Sequence, residues 1–92
     1  MQDERFSWHD DKASSNLKKH KVSFETARLL FDDVYALDDH DPDPDEERWL
    51  RIGMAGLDVL AVVYTERQGR VHIISARKAQ KHEQKAYAQQ RP

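Results

Sequence analysis

The alternation of apolar and polar residues is clearest between Glu47 and Ala76. From Glu47 to Met54, Arg48, Leu50, Ile52 and Met54 fall on one side of an extended chain, with Glu47, Trp49, Arg51 and Gly53 on the other. Ala55-Gly56 predicts a tight turn into a second run ending at Thr65. A polar turn from Glu66 to Gly69 then leads into a third run, Arg70 to Ala76. Strands joined in sequence by short turns predict an antiparallel meander. On a regular last strand Val71, Ile73, Ser75 and Arg77 share one face, and Arg70, His72, Ile74 and Ala76 the other.

Ahead of this region, Phe6-Ser7-Trp8 predicts an edge strand and Asp10 to His20 a helix. Acidic residues open that helix and Lys18, Lys19 and His20 close it, matching the helix dipole. Ser23 predicts the N-cap of a second helix, Phe24 to Phe31, burying Phe24, Ala27, Leu30 and Phe31. Val34 to Asp39 reads as a further strand. Asp38 to Glu46, acidic and carrying Pro42 and Pro44, reads as a loop. Lys78 to Gln89 predicts a helix with a thin apolar face of Ala79, Ala86 and Tyr87. The fold class that follows is α+β: an antiparallel β-meander of about four strands, two N-terminal helices packed on one face and a C-terminal helix. The 92 residues make a single domain.

Composition narrows the chemistry. There is no cysteine, which excludes disulfides and cysteine-ligated zinc. The polar start is unlike a signal peptide and no apolar run approaches the ~20 residues of a membrane span, so a cytoplasmic protein without membrane contact is expected. A net charge of −2 hides an asymmetry: residues 32–47 hold nine acidic residues and no Lys or Arg, while residues 66–92 hold seven basic against two acidic. The basic third suits phosphates; the acidic middle opposes indiscriminate nucleic-acid binding. Asp41, Asp43 and Asp45 alternate as in a calcium loop, but Glu46 and Ile52 stand where that loop needs Gly and Glu. Two helices separated by a short turn raise a DNA-reading motif, yet the second lacks a polar base-reading surface.

Three clusters carry candidate chemistry: the arginines Arg67 and Arg77 at the ends of the last hairpin, the basic run Lys18-Lys19-His20-Lys21, and Glu46-Glu47-Arg48. Together they supply what metal-free RNA cleavage requires. One group removes the 2′-hydroxyl proton, cations stabilise the phosphorane, and another group protonates the leaving 5′-oxygen. Plainer readings stand beside this. His20 caps a helix, Arg77 pairs with Glu47 or Glu66, and His72 is a sheet-surface residue. His9, His40 and His82 lack metal-ligand spacing.

Four ordered blocks then bear on the choice. They are Trp8, Lys12, Asn16 and Lys19-His20-x-Val22-x-Phe24; Glu46-Glu47-Arg48-Trp49 with Ile52-Gly53-Met54; Tyr64-Thr65-Glu66-Arg67; and Ile73 to Ala79 with Glu83 and Tyr87. In these the chain resembles the BrnT family of bacterial type II toxins over residues 6–87. The resemblance implies a RelE-like ribonuclease that cleaves RNA and arrests translation, without a metal or other cofactor. It further implies neutralisation by a BrnA-like ribbon-helix-helix antitoxin, through which alone operator DNA is contacted. Two positions depart from the family pattern. His9 stands where Asp is usual, leaving Asp10 to act as N-cap, and Lys21 stands where Gly is usual. A left-handed Lys would cost about 1 kcal/mol; the alternative is a rebuilt loop.

Chemistry laid over these blocks makes Arg67 and Arg77 candidate phosphate clamps, with His20 as general acid or base and Glu47 or Glu66 as the alternative base. Lys19, Arg48 and Lys78 are candidate substrate contacts. Arg67 and Arg77 lie a strand apart, roughly 25–30 Å, so Arg77 beside the first helix is favoured as the catalytic one and Arg67 as an outer grip. The competing function is a non-catalytic module that only binds its antitoxin.

Overall fold

A computed structural model describes all residues, Met1–Pro92. The strands are β1 (Phe6–Ser7), β2 (Leu37–Asp41), β3 (Arg48–Ala55), β4 (Asp58–Arg67) and β5 (Arg70–Lys78). The helices are α1 (Asp10–His20), α2 (Phe24–Ala27) and α3 (Lys81–Gln90), with a 3-10 segment over Arg28–Asp32 following α2. The class is α+β, as the sequence predicts, but the sheet has five strands in the order β1-β5-β4-β3-β2. It is mixed: β2 to β5 form an antiparallel meander, while β1 lies parallel to β5, with Phe6 opposite Val71 and Ser7 opposite His72.

The sheet separates two apolar clusters. Leu60, Val62, Ile73 and Ala76 face Phe24, Ala27 and Leu30, the α1–α2 side. Ile52 and Ala61 point the other way, against Ala79 of the link after β5 and Tyr87 of the C-terminal helix. That helix covers only part of its face. The residues toward the β4–β5 turn stay open, and this open sheet surface is where the chemistry gathers.

Four expectations are corrected. The second helix is one α-helical turn followed by a 3-10 segment, which brings Leu30 against β3 at Gly53. A Cβ at Gly53 would lie 3.1 Å from Cβ of Ala36 and 3.3 Å from Oδ2 of Asp33, so a larger residue would make these neighbours give way. The strand expected over Val34–Asp39 runs over Leu37–Asp41, so His40 and Asp41 are strand rather than loop: Arg51 makes a paired hydrogen bond to Asp38, and the His40 ring packs edge-on against Trp49. Such a charged strand is tolerated because it is the sheet edge. The β4–β5 connection shrinks to Gln68 and Gly69, with φ of 52° and 74°, a two-residue turn whose twist suits a hairpin. Arg67 is therefore the last strand residue, with a defined facing, and not part of a loose turn.

The fourth correction concerns parity. Val63 pairs with Ser75 but Tyr64 pairs with Ile73, so Ile74 is an extra residue bulged out of β5. Ala76 then falls on the same side as Ile73, and Arg77 moves to the opposite face beside Ala61. Regular alternation across nine residues predicts the reverse.

At the first helix, His9 occupies the N-cap position without a side-chain cap, and Asp10 lies within the helix, bonded to the Met1 amino group. Lys21 sits in the left-handed region at φ 61°, its amide closing on the Leu17 carbonyl. The family glycine position is thus filled by a lysine in the glycine conformation, and the loop is not rebuilt.

Candidate active site

The open sheet face is built by strand alternation: Thr65 and Arg67 on β4, His72 on β5 and Ser7 on β1 all point to it. His72 is 6 % exposed. Its Nδ1 lies 2.8 Å from Ser7 Oγ, and its Nε2 3.2 Å from Nη1 of Arg67. A guanidinium only donates, so Nε2 must present its lone pair and the ring proton resides on Nδ1, donating to Ser7. Burial first, then the charges of Arg67 and His9, pushes the His72 pKa below the ordinary 6.5, against an opposing pull from Glu46. The ring is neutral near pH 7 with its basic nitrogen already oriented.

Glu46 reaches this site from the β2–β3 loop. Asp43 Oδ1 accepts the amides of Asp45 and Glu46, a local turn that aims the Glu46 side chain at the sheet. The Glu46 carboxylate accepts from Arg48 Nε at 3.0 Å and from Arg67 Nη2 at 3.2 Å. Those two hydrogen bonds hold its pKa below the ordinary 4.5. Thr65 Oγ1 donates to the Glu47 carbonyl at 2.6 Å and ties the loop to β4. Ser7, His9, Arg67 and His72 line one depression of about 560 Å³. No group of three His, Asp or Glu side chains is placed to hold a metal ion.

The sequence-derived candidates separate into three places. Arg67 and Arg48 join the cluster just described, with Glu47 and Glu66 exposed on its flank beside Trp49 and Thr65. Lys19 and His20 line a different hollow with Lys12, Ser15, Ile74 and Ser75, where the end of α1 meets the β5 bulge. Arg77 and Lys78 lie at the far end of β5. His72, Ser7 and His9 were not among the site candidates. Only the pairing of β1 with β5 reveals them: the edge strand at Phe6-Ser7 is legible in the sequence, but its parallel partner is not.

Arg77 pairs with neither Glu47 nor Glu66. Its two terminal nitrogens donate to the two carboxylate oxygens of Glu83 at 2.7 and 3.0 Å, and Glu83 also accepts the Gln80 amide. This fork clamps α3 to the strand end. Asp33 adds a second tie, accepting from the Met54 amide and the Tyr87 hydroxyl. Arg77→Ala is expected to cost about 2 kcal/mol in urea unfolding by stranding the buried Glu83, less than a fully buried pair because Arg77 is 32 % exposed. The Arg77 hydrogen bonds, against burial, hold Glu83 below the ordinary 4.5. Its contribution is complete above that value and disappears as pH falls through the lowered one, so the wild-type advantage over Arg77→Ala should shrink in acid.

A small α+β protein with a neutral histidine, an exposed guanidinium and a carboxylate on an uncovered sheet face has the make-up of a phosphate-handling, acid–base protein. Comparison of sequences gives the class its name. The model of the ribonuclease toxin BrnT of type II toxin–antitoxin systems matches residues 8–83, and the chain belongs to that family. RNA as target and an antitoxin as partner follow from membership. No curated protein matches the chain. No helix is long and apolar enough to cross a membrane.

Proposed function

We propose that this toxin is a metal-independent endoribonuclease of the cytoplasm that cleaves RNA and so arrests translation. It is held silent by a BrnA-like ribbon-helix-helix antitoxin that makes the operator contacts. The observation that carries the reading is the lone pair of His72 Nε2 held against an exposed guanidinium in an open depression.

Arg67 is the exchangeable partner. When a phosphodiester enters, its guanidinium can trade the imidazole for a non-bridging oxygen, a charge-assisted contact stronger than the one it gives up. That exchange frees Nε2 to take the proton of the neighbouring 2′-hydroxyl. The 2′-oxygen attacks phosphorus, the P–O5′ bond breaks, O5′ takes up a proton and departs as a 5′-hydroxyl, and a 2′,3′-cyclic phosphate remains. Glu46, fixed by Arg48, keeps Arg67 near His72 and limits its swing. Lys19 and His20, with Lys12, offer a second cationic hollow for a flanking phosphate. Glu47 and Glu66 stand at the rim. We assign Arg77 to the anchoring of α3 and Lys78 to the adjacent surface.

Induced expression followed by assay of the purified chain tests this. Wild type should stop growth and cleave RNA in the presence of EDTA. Arg67→Ala should remain folded but cleave roughly 10²–10³-fold more slowly, with Arg67→Lys in between because lysine cannot form the fork. Abundant, folded wild-type protein that leaves growth and RNA intact would defeat the proposal in favour of a module that only binds its antitoxin.

A further inference from the structure

His9 is the residue that best distinguishes this chain from a generic version of the site. As the N-cap of α1 its side chain caps nothing, and its ring makes no hydrogen bond to any protein group. The ring instead stands edge-to-face with His72, centroids 5.1 Å apart and planes at 73°. It opens into the same depression as Arg67 and is itself exposed. A polar residue that neither caps its helix nor satisfies a neighbour, yet faces a neutral base and a guanidinium, is free to bind substrate.

We infer that His9 is a second catalytic histidine, the general acid that protonates the leaving 5′-oxygen while His72 removes the 2′-proton. The inference rests on the ribonuclease reading above. The protons balance. The 2′-hydroxyl proton passes to His72 Nε2 as the new P–O2′ bond forms, and the His9 proton passes to O5′ as the P–O5′ bond breaks. The enzyme leaves the step with His72 protonated and His9 neutral, and exchange with water restores the starting pair.

The surroundings favour this division of labour. The groups facing the two rings are Arg67 from β4, Glu46 from the β2–β3 loop, and the Met1 amino group, which Asp10 of α1 pairs. His72 is buried against the guanidinium, so it is the ring that gives up its proton. His9 is exposed and makes no hydrogen bond to a protein group, so its ring is free to turn toward the leaving oxygen. The nearness of His9 is itself among the causes that hold the His72 pKa down.

The test uses the purified chain and an oligonucleotide bearing its own cleavage site, made with either the ordinary 5′-oxygen or a 5′-bridging sulfur. A thiolate leaves without being protonated, so the sulfur substrate does not need the acid. His9→Gln should slow the ordinary substrate about 10²-fold or more while cleaving the sulfur substrate within about twofold of wild type. His72→Gln should slow both. The wild-type pH profile should be a bell, and His9→Gln should lose its alkaline limb. Equal losses on both substrates would make His9 a binding or structural residue and overturn the inference, as would no loss on either. Wild type inert on both substrates would instead overturn the ribonuclease reading itself.

Discussion

Replacing His72 by alanine is expected to lower the rate of RNA cleavage by roughly 10²–10⁴-fold, the largest effect on activity of any single change considered. Single-turnover cleavage of a labelled oligonucleotide measures it, and His72→Gln guards against a packing artefact because it keeps a polar side chain of similar reach. The wild-type pH dependence should carry the same information. A base must be neutral to act, and the His72 pKa lies below 6.5. The acid limb of kcat/KM should therefore lie below the ordinary histidine value. Burial is the first cause of that depression and the Arg67 charge the second. The residual activity of Arg67→Ala should thus show its acid limb displaced upward, toward 6.5. An unmoved limb would mean that a group other than His72 titrates.

The largest effect on stability should come from Asn16, which has no part in the chemistry. Its side chain is 7 % exposed and is used at both ends. Nδ2 donates to the carbonyls of Val22 at 3.0 Å and Ala76 at 2.8 Å, and Oδ1 accepts the Ala76 amide at 3.1 Å. One amide thereby joins α1, the turn after it, and β5 beyond the end of β1, where no strand satisfies the backbone. Asn16→Ala leaves three buried backbone groups unpaired at about 1–3 kcal/mol each, so a loss of about 4 kcal/mol is expected from urea unfolding. A chain of this length has a total of roughly 5–14 kcal/mol to lose. Asn16→Asp should fare no better above pH 5: it keeps an acceptor for the Ala76 amide but sets a carboxylate against two carbonyls. A loss under about 1 kcal/mol for Asn16→Ala would show that water replaces the amide.

Both residues expose the reach of sequence reasoning. Asn16 is visible as part of a family block, yet nothing in its neighbourhood announces that it completes a strand 60 residues away. His72 alternates with apolar neighbours and reads as sheet surface. Its facing is right for a surface residue, but the surface is a site because Ser7 closes one side and Arg67 the other. The acidic segment shows the converse. Its charge reads as solvated loop, whereas Asp38 is a cross-strand partner, Asp43 shapes a turn, and Glu46 reaches two arginines.

The class of the fold, the edge strand, the first helix, the hairpin strands and the blocks that mark a ribonuclease toxin family are all legible in the residues as written. These depend on hydrophobic period, capping residues and ordered motifs, all of which are local or additive along the chain. Which charges meet depends on the folded sheet. It sent Arg77 to Glu83, set Lys19 and His20 against the β5 bulge, and gathered Glu46, Arg67, His72 and His9 on the open face. The physical reason is that a single bulged residue reverses the facing of everything after it, and a parallel edge strand brings together residues 65 apart. The bulge leaves no mark in the residues nearby, and the edge strand, legible at Phe6-Ser7, does not name its partner.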